Sequence, residues 1–481
     1  MVRASANCRA STWAPPAFCC FAGCATQLTS PLIRKMGTEP PQRPPLAARE
    51  ILRPIQRFMQ VEASGGAVLL FATVAALIWA NSPWSDTYFD LWRSTIVIDT
   101  GLFRIEEDLQ HWVNDALMAI FFFVVGLEIK RELVHGELRE PRQAILPAAA
   151  AAGGMAVPAL LYVALNAGSD GARGWGIPMA TDIAFALAIM ALLGDRVSTA
   201  LRVFLLAVAI VDDIGAILVI AVFYSESVAL DSLAVAGAFI LAVFVMQRLD
   251  VRSIGAYIVI GSGLWIATFE SGVHATIAGV VLGLLTPARA YLPLPAYSTK
   301  AHALLRGLQE ARAEEEHGSS QSTLEELEFA TAHASSPLER LERLLHPWSS
   351  YVVLPIFALA NAGIELSGGI IEDAASSHVT IGIILGLVAG KLLGIVAAVA
   401  LMTGLRVARL PSGADWPNIV GTALLAGVGF TVSLFITGLA FDDPTLQGDA
   451  KIGILCASLA AGVAGYLVLR FAGSKPRKQI S

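Results

Sequence analysis

Two adjacent aspartates, Asp212 and Asp213, stand at the middle of VFLLAVAIVDDIGAILVIAVFY, residues 203–224. As a helix this stretch is about 33 Å long, enough to cross a hydrocarbon core of roughly 30 Å. Two central carboxylates cost about 5–7 kcal/mol to insert, and the fourteen Leu, Ile, Val and Phe residues around them return about 4–8. Charge kept against that cost points to a site that binds a cation, protons or both. The alternative is a structural carboxylate pair satisfied by neighbouring helices. Neighbours on a helix point about 100° apart, so the two cannot face one ligand symmetrically. One can face a cation while the other faces a helix or a counter-charge. Buried carboxylate neighbours titrate as a pair, and carboxylate oxygens suit hard cations. Such a pair can trade protons for a hard cation, and residue types alone do not separate Na⁺ from Li⁺ or K⁺.

Three further stretches carry polar groups inside apolar sequence. GIPMATDIAFALAIMALLG, residues 176–194, holds Asp182 as its only charge before Gly194. Pro178 removes a backbone donor and biases Ile177 away from helix, and Thr181 adds a hydroxyl. An interrupted span follows, with free backbone ends that a carboxylate at Asp182 can neutralise; the alternative is a proline kink with a capping aspartate. Lys391 sits centrally in TIGIILGLVAGKLLGIVAAVALM, too deep to snorkel easily. It is expected to pair with a carboxylate or to lose its charge through burial. TALLAGVGFTVSLF, residues 422–435, has Gly427 and Gly429 flanking Val428, with Thr431 and Ser433 following. Glycine pairs also serve helix packing, but this one lies in the middle of spans ten to twelve, as Asp182 lies in the middle of spans three to five. Interrupted segments at matching places in two halves point to a transporter site.

The elements that must position these residues are about twelve apolar spans. They are read at about 64–81, 109–134, 144–166, 176–194, 203–224, 231–247, 252–269, 273–286, 349–366, 379–404, 416–440 and 448–471. STIVIDTGLFRI, Ser94–Ile105, reads as a small extramembrane hairpin turning at Asp99-Thr100-Gly101. One set of connections carries most of the charge: Lys130, Arg131, Arg139, Arg142, Arg196, Arg202, Arg248, Arg252, Arg406 and Arg409, with the 287–348 loop and the basic tail 472–481. The other set holds little beyond Arg93, Arg104, Arg173 and Lys451. Positive charge stays in the cytoplasm, so both termini are expected there.

Composition fits this organisation. The chain of 481 residues is 55% hydrophobic and 15% charged, against about 25% charged in soluble chains. A formal net charge of −6 gives no nucleic-acid footprint. Cys8, Cys19, Cys20, Cys24 and Cys456 show no metal-ligand or disulfide spacing. Residues 1–62, with the cluster PPQRPP, read as a disordered extension without a convincing signal peptide, and Met36 looks a more ordinary start than Met1. Within 287–348 the mixed-charge run ARAEEEHGSSQSTLEELE ends in a capping-box pattern at Ser322–Glu325. The expected domains are therefore 1–62, spans one to eight over 63–286, the loop 287–348, spans nine to twelve over 349–471, and the tail.

The segments WVNDALMAIFFFVVGLEIKREL, ATDIAFALAIMALLG, LAVAIVDDIGAI, SGVHATIAG, LHPW, FALANAG and GKLLG, in this order over about 60–471, closely resemble the NhaA family of sodium/proton antiporters. That family is itself a known case of inverted-topology repeats. The resemblance implies an all-α membrane protein of the bacterial inner membrane, with about twelve helices in two inverted-topology repeats, helices 4 and 11 unwound and crossed, and a small periplasmic β-hairpin. It implies antiport of Na⁺, and with it Li⁺, against H⁺, electrogenic and pH-activated, with no enzymatic chemistry and no cofactor. Asp213 would be the principal Na⁺ ligand and Asp212 its gating and proton-carrying neighbour, with Na⁺ bound at the two together. Asp182 and Thr181 would balance the crossed helix ends and help bind the ion, and Lys391 would compensate charge, as an ion pair with Asp212. Asp115 in WVNDALMA matches a buried family aspartate. Glu128, Glu132, Glu342 and His346 align with a cytoplasmic region tied to pH activation, and His274 with another histidine of the pH response. Arg343 departs from the family pattern, where a histidine is often found. The Ser94–Ile105 hairpin resembles the segment that pairs subunits, which implies a homodimer.

Overall fold

The computed structural model describes residues 46–99, 104–225, 229–249, 251, 254–289, 294–313, 323, 325–327, 334–366 and 368–472. The chain divides into two units, Met1–Arg53 and Pro54–Ser481. Of the first, only residues 46–53 are described, and they are helical. The helix that contains them, Leu46–Ala80, begins well inside the stretch expected to be disordered.

Among the described residues, six helices are long and apolar enough to cross a membrane: Leu109–His135, Pro141–Asn166, Thr199–Phe223, Leu230–Arg248, His378–Gly404 and Pro444–Phe471. Three bent pairs bring the number to nine if each is one span. These are Ser64–Ala80 with Ser85–Trp92 (115°), Asp170–Met179 with Ile183–Leu192 (45°), and Trp416–Ala426 with Phe430–Ala440 (42°). The remaining expected spans are shorter pieces. Gly255–Glu270 and Thr276–Leu285 are short apolar helices, and a π-helical turn at Ser349–Val353 precedes Leu354–Asn361. By length and composition the described residues thus hold six to nine spans, fewer than the expected twelve.

The two interruptions read from Pro178 and from the Gly427–Gly429 pair are both present. The first span is a 3₁₀ helix, Asp170–Met179, that resumes as an α-helix at Ile183. The second stops at Ala426 and restarts at Phe430. The Asp212–Asp213 helix is unbroken from Thr199 to Phe223, and Ser198 caps its start by accepting from the Leu201 amide at 3.3 Å.

Small residues set how closely the helices approach. A Cβ on Gly126 would stand 2.7 Å from the Val280 carbonyl oxygen, so Met118–His135 lies directly on Thr276–Leu285. A Cβ on Gly390 would stand 2.8 Å from Pro158 Cα, which brings the start of Lys391–Gly404 against Pro141–Asn166. Leu385–Gly390, immediately before Lys391, is a π-helical turn, a feature that often marks functional sites.

Outside the spans, Thr95–Asp99 pairs antiparallel with Arg104–Asp108, in a register that sets Ile98 opposite Ile105. The second strand thus runs past the expected end at Ile105. Thr100 and Gly101 of the expected turn lie outside the described residues, as does Ser322 of the expected capping box. A capping box is formed by Ser336 and Glu339, at the start of Pro337–Trp348.

Candidate functional site

The two interrupted spans meet at their breaks, and each completes the other's hydrogen bonding. A helix end leaves backbone groups without partners, which is costly where water is excluded. The Asp182 amide donates to the Val428 carbonyl at 2.7 Å. The Asp182 carboxylate accepts from the Phe185 amide of its own helix at 3.0 Å. It also accepts from the amide and hydroxyl of Thr431, at 3.1 and 2.6 Å, on the other broken span. One carboxylate therefore faces two helix N-termini, whose partial positive charge favours an anion. On the opposite side of the crossing, the Thr181 hydroxyl lies 2.8 Å from the Ala426 carbonyl and 2.7 Å from Asp212 Oδ2. It has one proton and donates to one of them at a time.

Asp212 and Asp213 are both buried, and they do different things. Asp212 Oδ2 is 2.5 Å from Lys391 Nζ, and both side chains are fully inaccessible. Lys391 Nζ also donates to the Thr181 hydroxyl at 2.8 Å. A Cβ on Gly154 would lie 3.7 Å from Lys391 Cδ, so the lysine stem passes over a glycine of Pro141–Asn166 on its way to Asp212. Asp213 points elsewhere. It lines a cavity of about 30 Å³ with Asp182, Thr181, Thr431 and Val432. That is room for a water-sized species, so a cation lodged there sheds most of its hydration shell. Asp212 is not among the lining residues, and the geometry separates the two aspartates expected to share the ion.

The same cavity reaches a second group of charges, lined at its other end by Glu62, Glu128, His346, Ser349 and Ser350. His346 Nε2 stands 2.7 Å from Glu62 and 3.6 Å from Glu128. The Ser350 hydroxyl donates to Glu62 at 3.0 Å. Arg131 bonds Glu342 and, at 3.2 Å, Glu132. Burial alone would lower the His346 imidazole's pKa, but the hydrogen bond to Glu62 and the charges of Glu128, Glu62 and Glu342 outweigh it, and the net shift is upward. Glu342 is shifted upward chiefly by burial, against the pull of Arg131 and His346.

Of the residues singled out from sequence, Asp182, Thr181, Asp212, Asp213 and Lys391 are brought together, and Glu128, Glu132, Glu342 and His346 form the second group. His274 is not with them: its Nε2 lies 2.7 Å from the Tyr224 carbonyl, at the end of the Asp212–Asp213 helix. Asp115 lies in the π-helical turn Val113–Leu117, where its main-chain carbonyl accepts from Trp265 Nε1 at 3.1 Å. It does not line the cavity. Sequence reasoning missed Glu62, Ser350 and the direct role of Thr431. Glu62 had a signal, since it is an acid directly before the first apolar run, VEASGG. Its place at the end of a stretch that reads as an extension hides it. Ser350 had none.

The model of the family described as Na⁺/H⁺ antiporter 1 matches residues 56–469 of the chain. The chain is similar to the Na⁺/H⁺ antiporter NhaA 2 of Myxococcus xanthus, 48% identical over 421 residues that cover 87% of this chain and 89% of that one. It is similar to the Na⁺/H⁺ antiporter NhaA of Oleidesulfovibrio alaskensis, 46% identical over 447 residues, covering 91% and 98%. It is also similar to the Na⁺/H⁺ antiporter NhaA 2 of Sorangium cellulosum, 46% identical over 429 residues, covering 88% and 92%.

Proposed function

The chain belongs to the Na⁺/H⁺ antiporter 1 family, and from that premise we propose that it is a secondary transporter, not an enzyme, that exports Na⁺ and Li⁺ in exchange for H⁺. The observation that carries this reading is the placement of Asp213 on a small cavity at the crossing of two broken spans, beside Asp182 and Thr431.

In the proposed cycle Asp213 takes the cation from the cavity, with hydroxyl and carbonyl oxygens of the breaks replacing water. Oxygen donors of this kind suit a small hard cation. Asp212 is the proton carrier, and Lys391 is its partner when it is charged. A proton arriving at Asp212 releases Lys391; a proton leaving restores the pair. Each exchange cycle thus changes a buried ion pair that three spans hold together. Asp213 gives up its own proton as it takes the cation and Asp212 gives up a second, so two protons leave for one Na⁺, net charge moves, and exchange is electrogenic. A potential negative inside then helps drive Na⁺ out. The Glu62, Glu128 and His346 group, at the other end of the cavity, makes exchange pH-dependent.

The same reading includes about twelve crossings in two inverted repeats. It places the protein in the bacterial inner membrane with both termini in the cytoplasm, by the distribution of Lys and Arg. Homodimers form through the 94–105 hairpin, where Ile96, Val97 and Ile98 are each at least 40% exposed.

The test is proton release in inverted vesicles containing the full chain, read by dequenching of a pH dye on addition of Na⁺, Li⁺ or K⁺ across a pH series. Dequenching by Na⁺ and Li⁺ but not K⁺, rising with pH, is the expected result. No dequenching by any of the three at any pH overturns the reading.

A further inference from the structure

The 3₁₀ helix Asp170–Met179 precedes the first break and leads directly into the ion site at Thr181 and Asp182. Its main chain is held by side-chain hydroxyls from three other helices. Tyr162, on Pro141–Asn166, donates to the Gly171 carbonyl at 2.7 Å. Tyr224, at the end of Thr199–Phe223, donates to the Arg173 carbonyl at 2.7 Å and accepts from the Gly176 amide at 3.1 Å. Ser433, on the second broken span, donates to the Ile177 carbonyl at 2.8 Å. Both phenols are buried, and Ile177 is fully inaccessible.

The segment also lies flush against its holders. A Cβ on Gly176 would stand 2.8 Å from the Tyr224 hydroxyl, and one on Gly174 would stand 2.5 Å from both the Tyr162 hydroxyl and Phe441 Cζ. Glycine is required here for close approach. A 3₁₀ helix has poorer internal hydrogen bonding than an α-helix and is uncommon beyond 3–4 residues. This one has 10, and the carbonyls that the hydroxyls bind are its own. The segment leads within three residues to Thr181 and Asp182, so it cannot move without moving the ion site.

We propose that Tyr162 and Tyr224 are the outer latch of the transporter: their hydroxyls hold Asp170–Met179 over the outward side of the Asp213 site, and the cation leaves outward only when these bonds break. This deepens the antiport reading and rests on it. The tyrosines are positioning residues, since they act through the segment and touch no ion. His274 is joined to the latch through its contact with the Tyr224 carbonyl.

Tyr162→Phe and Tyr224→Phe keep the rings and remove only the hydroxyls. Each should raise the population of the outward-exposed state by about fivefold, the change expected for one net hydrogen bond. In oriented proteoliposomes of the full chain, the half-saturating Na⁺ concentration on the outer face should fall about fivefold in either variant and about 25-fold in the double variant. On the inner face, served by the state already dominant, it should change less than about twofold. Equal shifts on both faces, or none on the outer face, overturn the proposal. A second measurement does not depend on transport. Ile177→Cys, in a chain whose native cysteines are serine, should react with a membrane-impermeant maleimide from outside several-fold faster when either tyrosine is Phe. If the parent exchanges no Na⁺ for H⁺, the antiport reading fails while this labelling still decides the latch; an unchanged labelling rate fails the latch alone.

Discussion

Two groups of buried charge share one cavity and are built on opposite plans. At the crossing of the broken spans, each charge has its own partner. Asp182 is bound to two helix N-termini, and Asp212 to Lys391 and Thr181. Asp213 lines the cavity beside Asp182 and, among the described residues, has no hydrogen-bonding or ion-pair partner there. At the other end, partners are shared: His346 faces both Glu62 and Glu128, and Arg131 faces both Glu132 and Glu342. A group with dedicated partners exists in two distinct states, paired or unpaired, which suits stoichiometric exchange. A group with shared partners redistributes charge in small steps as pH changes, which suits adjustment of a rate.

The largest effect is expected at Asp213, which among the described residues of the crossing is the acid without a dedicated partner. Asp213→Asn should abolish Na⁺-induced proton release. Asp212→Asn should be nearly as severe, and Asp182→Asn milder, because its bonds to Phe185 and Thr431 can be kept in part by an amide oxygen. The measurement is initial dequenching rate in inverted vesicles at matched protein level. Parental turnover in Asp213→Asn would remove the functional distinction between the two aspartates.

The core site was the more legible of the two groups, and the contrast explains why. Asp212, Asp213, Asp182 and Lys391 are conspicuous because each is a charge alone in apolar sequence, and the breaks beside them are marked by Pro178 and by Gly427 and Gly429. Even so, sequence spacing gave only the angle between Asp212 and Asp213. That Asp212 turns to Lys391 while Asp213 turns to the cavity depends on how Pro141–Asn166 and His378–Gly404 pack at Gly154, Gly390 and Pro158. The second group assembles from residues 62, 128–132 and 342–350, which are remote in sequence and sit at the polar ends of spans, where a charge is unremarkable. Glu62 is hidden further because residues 1–62 read as an extension. Resemblance placed His274 among the pH residues, but a contact with a main-chain carbonyl at the far end of another helix has no signature in sequence.

A smaller effect, on stability, tests whether the partners in the core are dedicated. Lys391→Ala leaves the Asp212 carboxylate buried without its cation, and removal of one member of a buried pair costs about 3–5 kcal/mol. The thermal unfolding midpoint should fall markedly. Adding Asp212→Asn removes the stranded charge, and the double variant should regain most of the midpoint while remaining inactive. If the double variant is as unstable as the sum of the single ones, Asp212 and Lys391 do not depend on each other.

The smallest effect is expected where partners are shared. The His346 and Glu342 pKa values are both shifted upward. A raised folded-state value, in an imidazole or a carboxyl, contributes stability that is fully present below the unfolded-state pKa and is lost as pH rises through the folded-state pKa. For His346 that window opens at its ordinary 6.5 and extends above it. The group is therefore tightest in acid and loosens on the alkaline side, in the sense that exchange is proposed to rise. His346 is faced by Glu62 from the first helix, by Glu128 with Arg131 and Glu132 beyond it from the helix Met118–His135, and by Glu342, with Glu339 beyond it, from its own helix. The neighbours can still titrate without it, so its removal should shift the profile and not abolish it. His346→Gln, which can keep a hydrogen bond to Glu62 without titrating, should move the onset of exchange to lower pH by about one unit or less. The maximal rate should stay within about twofold of the parent. A profile identical to the parent's would mean that the imidazolium is only a structural partner of Glu62, and that the two ends of the cavity differ in position and not in kind.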